Sequence, residues 1–92
     1  MFKERNNRVF VIAEISANHG QSYRRAVSLI RKAKECGADA VKFQTYTPDT
    51  ITTDSNKGNF YIKHGKWGGQ TLHSLYSEAY TPWHWFRKLK HI

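Results

Sequence analysis

A strand–helix–strand pattern in the first half of the chain constrains the fold most strongly. Residues 8–15 form an almost unbroken apolar run rich in Val, Ile and Phe, which is typical of a strand covered on both faces in a parallel sheet. Helical spacing follows in residues 23–33, with Ser22 placed to cap the helix and Gly37 to end it. Residues 38–45 then return to a short strand. This pattern predicts an α/β fold with two parallel strands joined by a right-handed crossover.

The second half of the chain begins with weaker signals. Residues 47–69 are mostly polar and contain Pro48 and several glycines, which predicts a long loop of a kind that often carries function. Helical spacing resumes in residues 72–79, and Thr81 followed by proline predicts the start of a last helix. That helix would carry an apolar stripe along one face, formed by Trp85, Phe86, Leu89 and Ile92.

Charge and cysteine content narrow the classes of partner and compartment. The 92 residues carry 15 Lys and Arg against 7 Asp and Glu, a net charge of +8, which favours a phosphorylated metabolite, a nucleic acid or a membrane surface as partner. A single cysteine, Cys36, permits no internal disulfide, so we expect a reducing, cytoplasmic setting. The apolar run from Val9 to Ala13 is too short for a signal-peptide core or a membrane span.

Polar side chains end both predicted strands. Alternation places Glu14 on one face of the first strand, and it places Lys42 and Gln44 together on one face of the second. A buried charge needs a partner, so Glu14 and Lys42 should pair with each other, reach solvent or meet a charged ligand. Ligands bind at the carboxyl ends of parallel strands, which makes these residues the leading site candidates. An ion pair that only closes the sheet fits the spacing equally well.

The turn after the first strand supplies two further candidates, Asn18 and His19. Its position favours contact with a ligand, although Asn is an ordinary turn former and a lone His there is more often a hydrogen-bonded loop residue. The five histidines show no metal-ligand spacing with Cys36 or with carboxylates, so no metal ligand is assigned. Cys36 itself lies near the end of a helix, where packing is the more common role.

Three stretches of the sequence resemble the sialic acid synthase family. They are IAEISANH at residues 12–19, GADAVKFQT at residues 37–45 and LYSEAYTPW at residues 75–83. The last stretch, together with Ser16 and Ala17, resembles the pseudaminic acid synthase branch in particular, since the neuraminate branch usually carries a glycine early in that turn. The resemblance extends from about residue 9 to residue 90 and rests on several separate motifs in the right order.

The resemblance implies an enzyme that condenses phosphoenolpyruvate with an N-acetylated amino sugar. The product is a nine-carbon sialic-type acid, pseudaminic or N-acetylneuraminic acid, and phosphate is released. In the family, the enol carbon C3 attacks the open-chain aldehyde, and water adds at C2 to give a tetrahedral intermediate that loses phosphate. Manganese or magnesium is implied as cofactor, and a homodimer is implied for the full-length enzyme, with neither nucleic acid nor membrane as partner.

The resemblance also implies residue roles and an architecture. By position, Glu14 would act beside the reacting carbon or the metal-bound water, Lys42 would bind phosphoenolpyruvate, and Gln44 would contact the amino sugar. Asn18 and His19 join the substrate-binding candidates because of their place in the turn after the first strand. The implied fold is a TIM barrel followed by a small antifreeze-like domain. A barrel takes eight strands in roughly 250 residues, so residues 1–92 are expected to form its N-terminal segment, with about two βα units, without the second domain and inactive alone.

A function of another class also accounts for the charge. A small basic α/β module would bind RNA or an acidic partner through an exposed helix face and the aromatic-basic last helix. The basic residues of that helix face are Arg24, Arg25, Arg31 and Lys32. This alternative explains the net charge but leaves Glu14, Lys42 and Gln44 at the strand ends without a role.

Overall fold

The computed structural model describes residues 8–92, so the first seven residues of the predicted 1–92 segment lie outside the described part. Its elements in chain order are β1 (Ile12–Glu14), α1 (Tyr23–Glu35), β2 (Ala40–Lys42), α2 (Pro48–Ile51), a 3-10 turn (Gly58–Phe60), α3 (Leu72–Ala79), a second 3-10 turn (Trp83–Trp85) and α4 (Phe86–Lys90). The strand–helix–strand order and the α/β content are therefore confirmed. Both strands are shorter than the apolar runs that predicted them.

The two strands form a parallel sheet, as predicted. The register pairs Ile12 with Ala40 and Glu14 with Lys42. Hydrogen bonding continues past the strand at both ends: the Ile15 N–H donates to the Lys42 carbonyl at 2.9 Å. At the other end, the Val11 N–H donates to the Asp39 carboxylate at 2.8 Å. The side chain of Asp39 thus satisfies a donor that a longer strand would have paired through its backbone.

Both predicted boundaries of α1 are confirmed. The Ser22 hydroxyl accepts a hydrogen bond from the Arg25 N–H at 3.2 Å, which satisfies one of the free donors of the first turn. The helix ends at the exposed Cys36 and at Gly37, whose φ of +96° lies in the left-handed region that glycine adopts without strain. The sharp exit lets the chain enter β2 within three residues.

The hydrophobic core lies between α1 and the last helix. Ala26, Trp85 and Leu89 are buried, and Tyr23, Val27, Ile30 and Phe43 pack against them. This confirms that Trp85 and Leu89 form the core-facing stripe of the last segment. Ile92 is different because 49% of its surface is exposed, so the stripe does not extend to that residue.

Within residues 8–92, the sheet is not covered on both faces. Ile15 is buried, whereas Ile12 is 45% exposed and Val11 is 47% exposed. The prediction of a strand covered on both faces is therefore not met by the described residues. Two cavities of about 280 and 380 Å³ also lie between β2 and α4. Both are lined by Val41, Leu89 and Lys90.

The long predicted loop contains short ordered pieces. It holds α2 and the first 3-10 turn, and Tyr61 pairs with Thr71 in an isolated antiparallel bridge. Helix α3 lies where predicted, and the Thr71 hydroxyl accepts from the Ser74 N–H at its start. The predicted N-cap at Thr81 is wrong: Pro82 precedes the 3-10 turn, and the Thr81 hydroxyl bonds a histidine ring instead. No helix formed by residues 8–92 has both the length and the apolarity needed to cross a bilayer.

Candidate functional site

Glu14 and Lys42 form an ion pair at the carboxyl ends of the two strands. Lys42 Nζ lies 3.1 Å from Glu14 Oε1, and the two side chains are 66% and 38% exposed. The second carboxylate oxygen, Oε2, accepts a hydrogen bond from the Ser16 N–H at 3.1 Å. The hydrogen bond from Lys42, helped by the Ser16 N–H, lowers the pKa of Glu14 below its ordinary value. Glu14 is therefore an anion at neutral pH, and the pair remains open to solvent.

Gln44 lies two residues beyond Lys42, on the open side of the same segment. Both side chains are exposed, whereas Val41 and Phe43 are half-buried. Phe43 packs against the core beneath. This alternation follows from the geometry of an extended chain, in which neighbouring side chains point to opposite faces. It supports the sequence prediction that Lys42 and Gln44 share the face on which Glu14 lies.

Asn18 is anchored to the end of β1. Its side-chain amide donates to the Ile15 carbonyl at 2.9 Å, and its backbone N–H donates to the same carbonyl at 3.1 Å. The residue itself is exposed. Asn18 is thus held close to the strand end in a fixed conformation while it remains accessible.

His19 is completely buried, at 0% exposure. Its Nδ1 accepts a hydrogen bond from the Gln21 N–H at 2.9 Å, which requires the ring proton of the neutral form to lie on Nε2. Nε2 then donates to the Thr81 hydroxyl, at 2.8 Å. The centroid of the ring lies 5.3 Å from that of Trp85. Burial lowers the pKa of His19, so the ring is neutral at physiological pH.

The turn between β1 and α1 has an unusual backbone, which sequence reasoning did not predict. Ser16 has a φ of +53° and Gln21 a φ of +59°, both in the left-handed region that residues other than glycine rarely adopt. The Gln21 side chain donates to the carbonyls of Ser77 and Tyr80, at 2.9 and 3.0 Å. These contacts fasten the turn to the end of α3. The nearby TP dipeptide at Thr81 predicts only the start of a helix, so the sequence gives no signal for these contacts.

The cavities and the candidate site lie in different places. The residues that line the two cavities include Val41 and Phe43 but neither Glu14, Lys42 nor Gln44. Among the described residues, no group of three or more His, Cys, Asp or Glu side chains is arranged to hold a metal ion. The arrangement therefore offers an anion-binding lysine beside an ionised carboxylate, on an open surface.

Comparisons with known proteins agree with these motifs. The chain is 48% identical over 84 residues to the pseudaminic acid synthase of Campylobacter jejuni subsp. jejuni serotype O:2, which covers 91% of the chain and 24% of that relative. It is 42% identical over 79 residues to the pseudaminic acid synthase of Helicobacter pylori, covering 86% of the chain and 23% of the relative. It is also 44% identical to the N,N'-diacetyllegionaminic acid synthase of Legionella pneumophila over 54 residues, 59% of the chain and 15% of that protein.

The chain spans about a quarter of the length of the two pseudaminic acid synthases. A family model, described as the NeuB family, matches residues 29–92, which is well over half of the chain. Because that model matches most of the chain, this chain belongs to the NeuB family.

Proposed function

We propose that this chain provides part of the active site of an enzyme that condenses phosphoenolpyruvate with an N-acetylated amino sugar. The product would be a nine-carbon sialic-type acid, with release of phosphate. The relatives named as pseudaminic and legionaminic acid synthases support this reaction class. The single observation that carries the proposal is the 3.1 Å pair of Lys42 and Glu14 at the carboxyl ends of adjacent parallel strands. Pseudaminic acid is the favoured product, because two pseudaminic acid synthases align with most of the chain.

The proposed architecture is the first two βα units of a TIM barrel. The exposed apolar residues of β1 support it, because barrel strands are covered inside and outside. The cavities beside β2 support it as well, since a third strand and its helix would adjoin β2 and α4 there. The antifreeze-like domain and the homodimer implied by the resemblance, in a cytoplasmic enzyme, belong to the same proposal.

Lys42 would bind the anionic substrate. Its ammonium group is 66% exposed and is held in place by Glu14, so a phosphate or carboxylate can approach it without rearrangement of the backbone. Phosphoenolpyruvate brings both kinds of anion, and a fixed cation stabilises them and the negative charge that develops as phosphate departs. When the substrate binds, its anionic group would replace part of the contact that Lys42 makes with Glu14 in the free protein.

Glu14 would act at the reacting carbon. An ionised carboxylate can orient a water molecule for addition at C2 or accept a proton from it. When the substrate anion draws Lys42 away, Glu14 loses its strongest stabilising contact, and its pKa rises towards that of a more effective base. Gln44, with an amide that both donates and accepts hydrogen bonds, would contact the amino sugar. Asn18 would border the same site. His19, a substrate-binding candidate by its place in the turn, is completely buried among residues 8–92, so it would not touch the substrate directly.

The divalent metal implied by the resemblance does not fit the residues described. No three-ligand cluster of His, Cys, Asp or Glu side chains exists within residues 8–92, and the ion-paired Glu14 is a single carboxylate. No step of the proposed chemistry is therefore assigned to a metal held by this part of the chain. Manganese or magnesium would need ligands from elsewhere in the enzyme.

The alternative of an RNA-binding module is not favoured. It relied on the aromatic residues of the last segment as a stacking surface, yet Trp85 is buried in the core at 6% exposure. The basic residues of α1 are exposed, but Lys32 is paired with Glu35 at 2.9 Å.

A chimera tests the proposed function. The matched 84 residues of the Campylobacter jejuni synthase would be replaced by the corresponding residues of this chain, and phosphate release from phosphoenolpyruvate would be measured with manganese and an N-acetylated amino sugar. We expect an active chimera, and a loss of about 100-fold or more in kcat/KM for Lys42→Met, the size usual for removal of one electrostatic contact to a transition state. The 92-residue chain alone should release no phosphate.

Lys32→Met is the matched control, because Lys32 is also an exposed lysine in an ion pair, with Glu35, but lies on α1. It should leave the rate of the chimera unchanged. Equal activity of the Lys42→Met and Lys32→Met chimeras would refute the assignment of Lys42. An inactive but folded chimera would refute the proposal that this chain retains the chemistry of its relatives.

A further inference from the structure

We propose that His19 is a positioning residue of the candidate site, joining the β1–α1 turn to the connection between α3 and α4 through Thr81. Its neutral ring would fix the backbone that presents Asn18 and the Ser16 N–H beside Glu14. The proposal relies on the proposed function for what the site binds. The geometric part of the proposal is independent of the substrate.

Both ring nitrogens of His19 form hydrogen bonds. His19 receives the Gln21 N–H on one nitrogen at 2.9 Å and contacts the Thr81 hydroxyl with the other at 2.8 Å. Thr81 lies 62 positions later in the chain and is itself buried, at 1% exposure. One side chain with an acceptor and a donor on opposite sides is needed to connect these two segments, and neutral histidine supplies both. A charged ring would lose the acceptor and break the bond to Gln21.

The turn after His19 has a backbone conformation that its surroundings must hold in place. Gly20 and Gln21, directly after His19, have φ values of +56° and +59°. Such a conformation persists in a non-glycine residue only where its surroundings impose it. Here they do, because the Gln21 N–H is bound by His19 and the Gln21 side chain is bound by the carbonyls of Ser77 and Tyr80. The hydrogen bonds of His19 and of Gln21 thus hold the same turn against one segment, residues 77–81.

The turn that contains His19 lies directly beside the candidate site. At its start, the Ser16 N–H donates to Glu14 Oε2 at 3.1 Å. One residue before His19, the Asn18 side chain donates to the Ile15 carbonyl. His19 is completely buried among residues 8–92 and presents no surface to a substrate there. Its effect on the site would therefore pass through the backbone, and a shift of the turn would be transmitted to Ser16, Asn18 and Glu14.

Nuclear magnetic resonance on the isotope-labelled 92-residue protein tests the proposal without substrate. In the unmodified protein, we expect the His19 ring to show the tautomer protonated on Nε2 and to stay neutral as the pH is lowered through 6.5, the ordinary pKa of histidine. Thr81→Val removes the hydroxyl and keeps the volume of the side chain. It should shift the signals of the Ser16 amide and of the Asn18 side-chain amide, and Thr81→Ser should restore them.

Thr53→Val is the matched control, because Thr53 is exposed in the long loop, and it should leave both amide signals in place. The proposal is overturned if Thr81→Val shifts only the residues around position 81. It is also overturned if the pKa of His19 in the unmodified protein is 6.5 or higher, or if the neutral ring carries its proton on Nδ1. These two measurements need no variant, so they decide the question even if Thr81→Val does not fold. Neither result changes what the chimera assay says about Lys42. The positioning role of His19 and the proposed function can therefore be refuted independently of each other.

Discussion

Glu14 and Lys42 are direct partners in the parallel register, and the two side chains meet on the same face of the sheet at 3.1 Å. Because both side chains are more than one-third exposed, the pair contributes at most about 1 kcal/mol to the free energy of unfolding. The pair therefore contributes little to the stability of the fold. Its main effect is to orient the carboxylate and the lysine towards each other at the strand ends.

The Lys42→Met substitution should raise the pKa of Glu14 towards its ordinary value of 4.5. The hydrogen bond from Lys42 is the largest cause of the lowered pKa, and methionine cannot replace it. A carbon-13 titration of the Glu14 carboxylate in the 92-residue protein measures the change. Lys32→Met should leave the Glu14 titration where it is, and an unchanged Glu14 pKa in Lys42→Met would contradict the pairing.

Ser16→Gly should stabilise the protein by up to about 1 kcal/mol. Ser16 adopts a φ of +53°, where a side chain causes steric strain that glycine avoids. Ser28→Gly is a control with the opposite sign, since Ser28 is exposed within α1 and glycine in a helix costs about 0.5–1 kcal/mol. Urea unfolding of both variants provides the comparison. A destabilised Ser16→Gly variant would show that the hydroxyl outweighs the backbone strain.

Leu89→Ala should lower the free energy of unfolding by about 2–4 kcal/mol. Leu89 is only 7% exposed and belongs to the core cluster with Ala26 and Trp85, so truncation loses buried apolar surface and leaves a void. Ile92→Ala, at a side chain with 49% exposure, should change the free energy by no more than about 0.5 kcal/mol. Similar losses for both substitutions in urea unfolding would show that the core extends past α4.

Acid should weaken the fold through His19. The folded protein binds the His19 proton with a pKa below the 6.5 of the unfolded chain. Between these two pKa values the unfolded state holds more protons, so this contribution to stability is complete above about pH 6.5 and declines as the pH falls below it. Urea midpoints measured at pH 7.5 and 5.5 should differ more for the unmodified protein than for His19→Gln. An equal difference in both proteins would mean that His19 titrates alike in the folded and unfolded states.

Much of the framework is predictable because it depends on local signals. The helix α1 starts at a side chain that caps it and ends at a glycine that can adopt positive φ, and both features are visible in the sequence as Ser22 and Gly37. The position of Glu14 and Lys42 at the ends of two parallel strands follows from the apolar runs and from strand alternation, whereas the sequence leaves their pairing as one of three possibilities. These predictions succeed because neighbouring residues determine them.

The contacts of His19 were not predictable in the same way. Thr81 has the sequence signature of a helix cap, yet its hydroxyl bonds a ring 62 residues earlier. Propensity says nothing about such a distant partner, and the competition between a local cap and a buried ring is decided by packing. The shortness of β1 and β2 has a related cause, because apolar residues favour a strand but need a neighbouring element to pair with. Among residues 8–92, these strands have only each other as named partners.

Neighbouring residues in β2 and just after it lie on opposite faces, so substitutions at them should have different effects. Val41 and Phe43 face the interior, and Lys42 and Gln44 face the open side, so changes at odd positions should impair folding and changes at even positions should impair chemistry. A one-residue insertion between Gly37 and Ala40 would exchange the two sets, putting ammonium and amide groups into the interior and an aromatic ring on the surface. The short segment between α1 and β2 should therefore be much more sensitive to a change of length than the loop after β2.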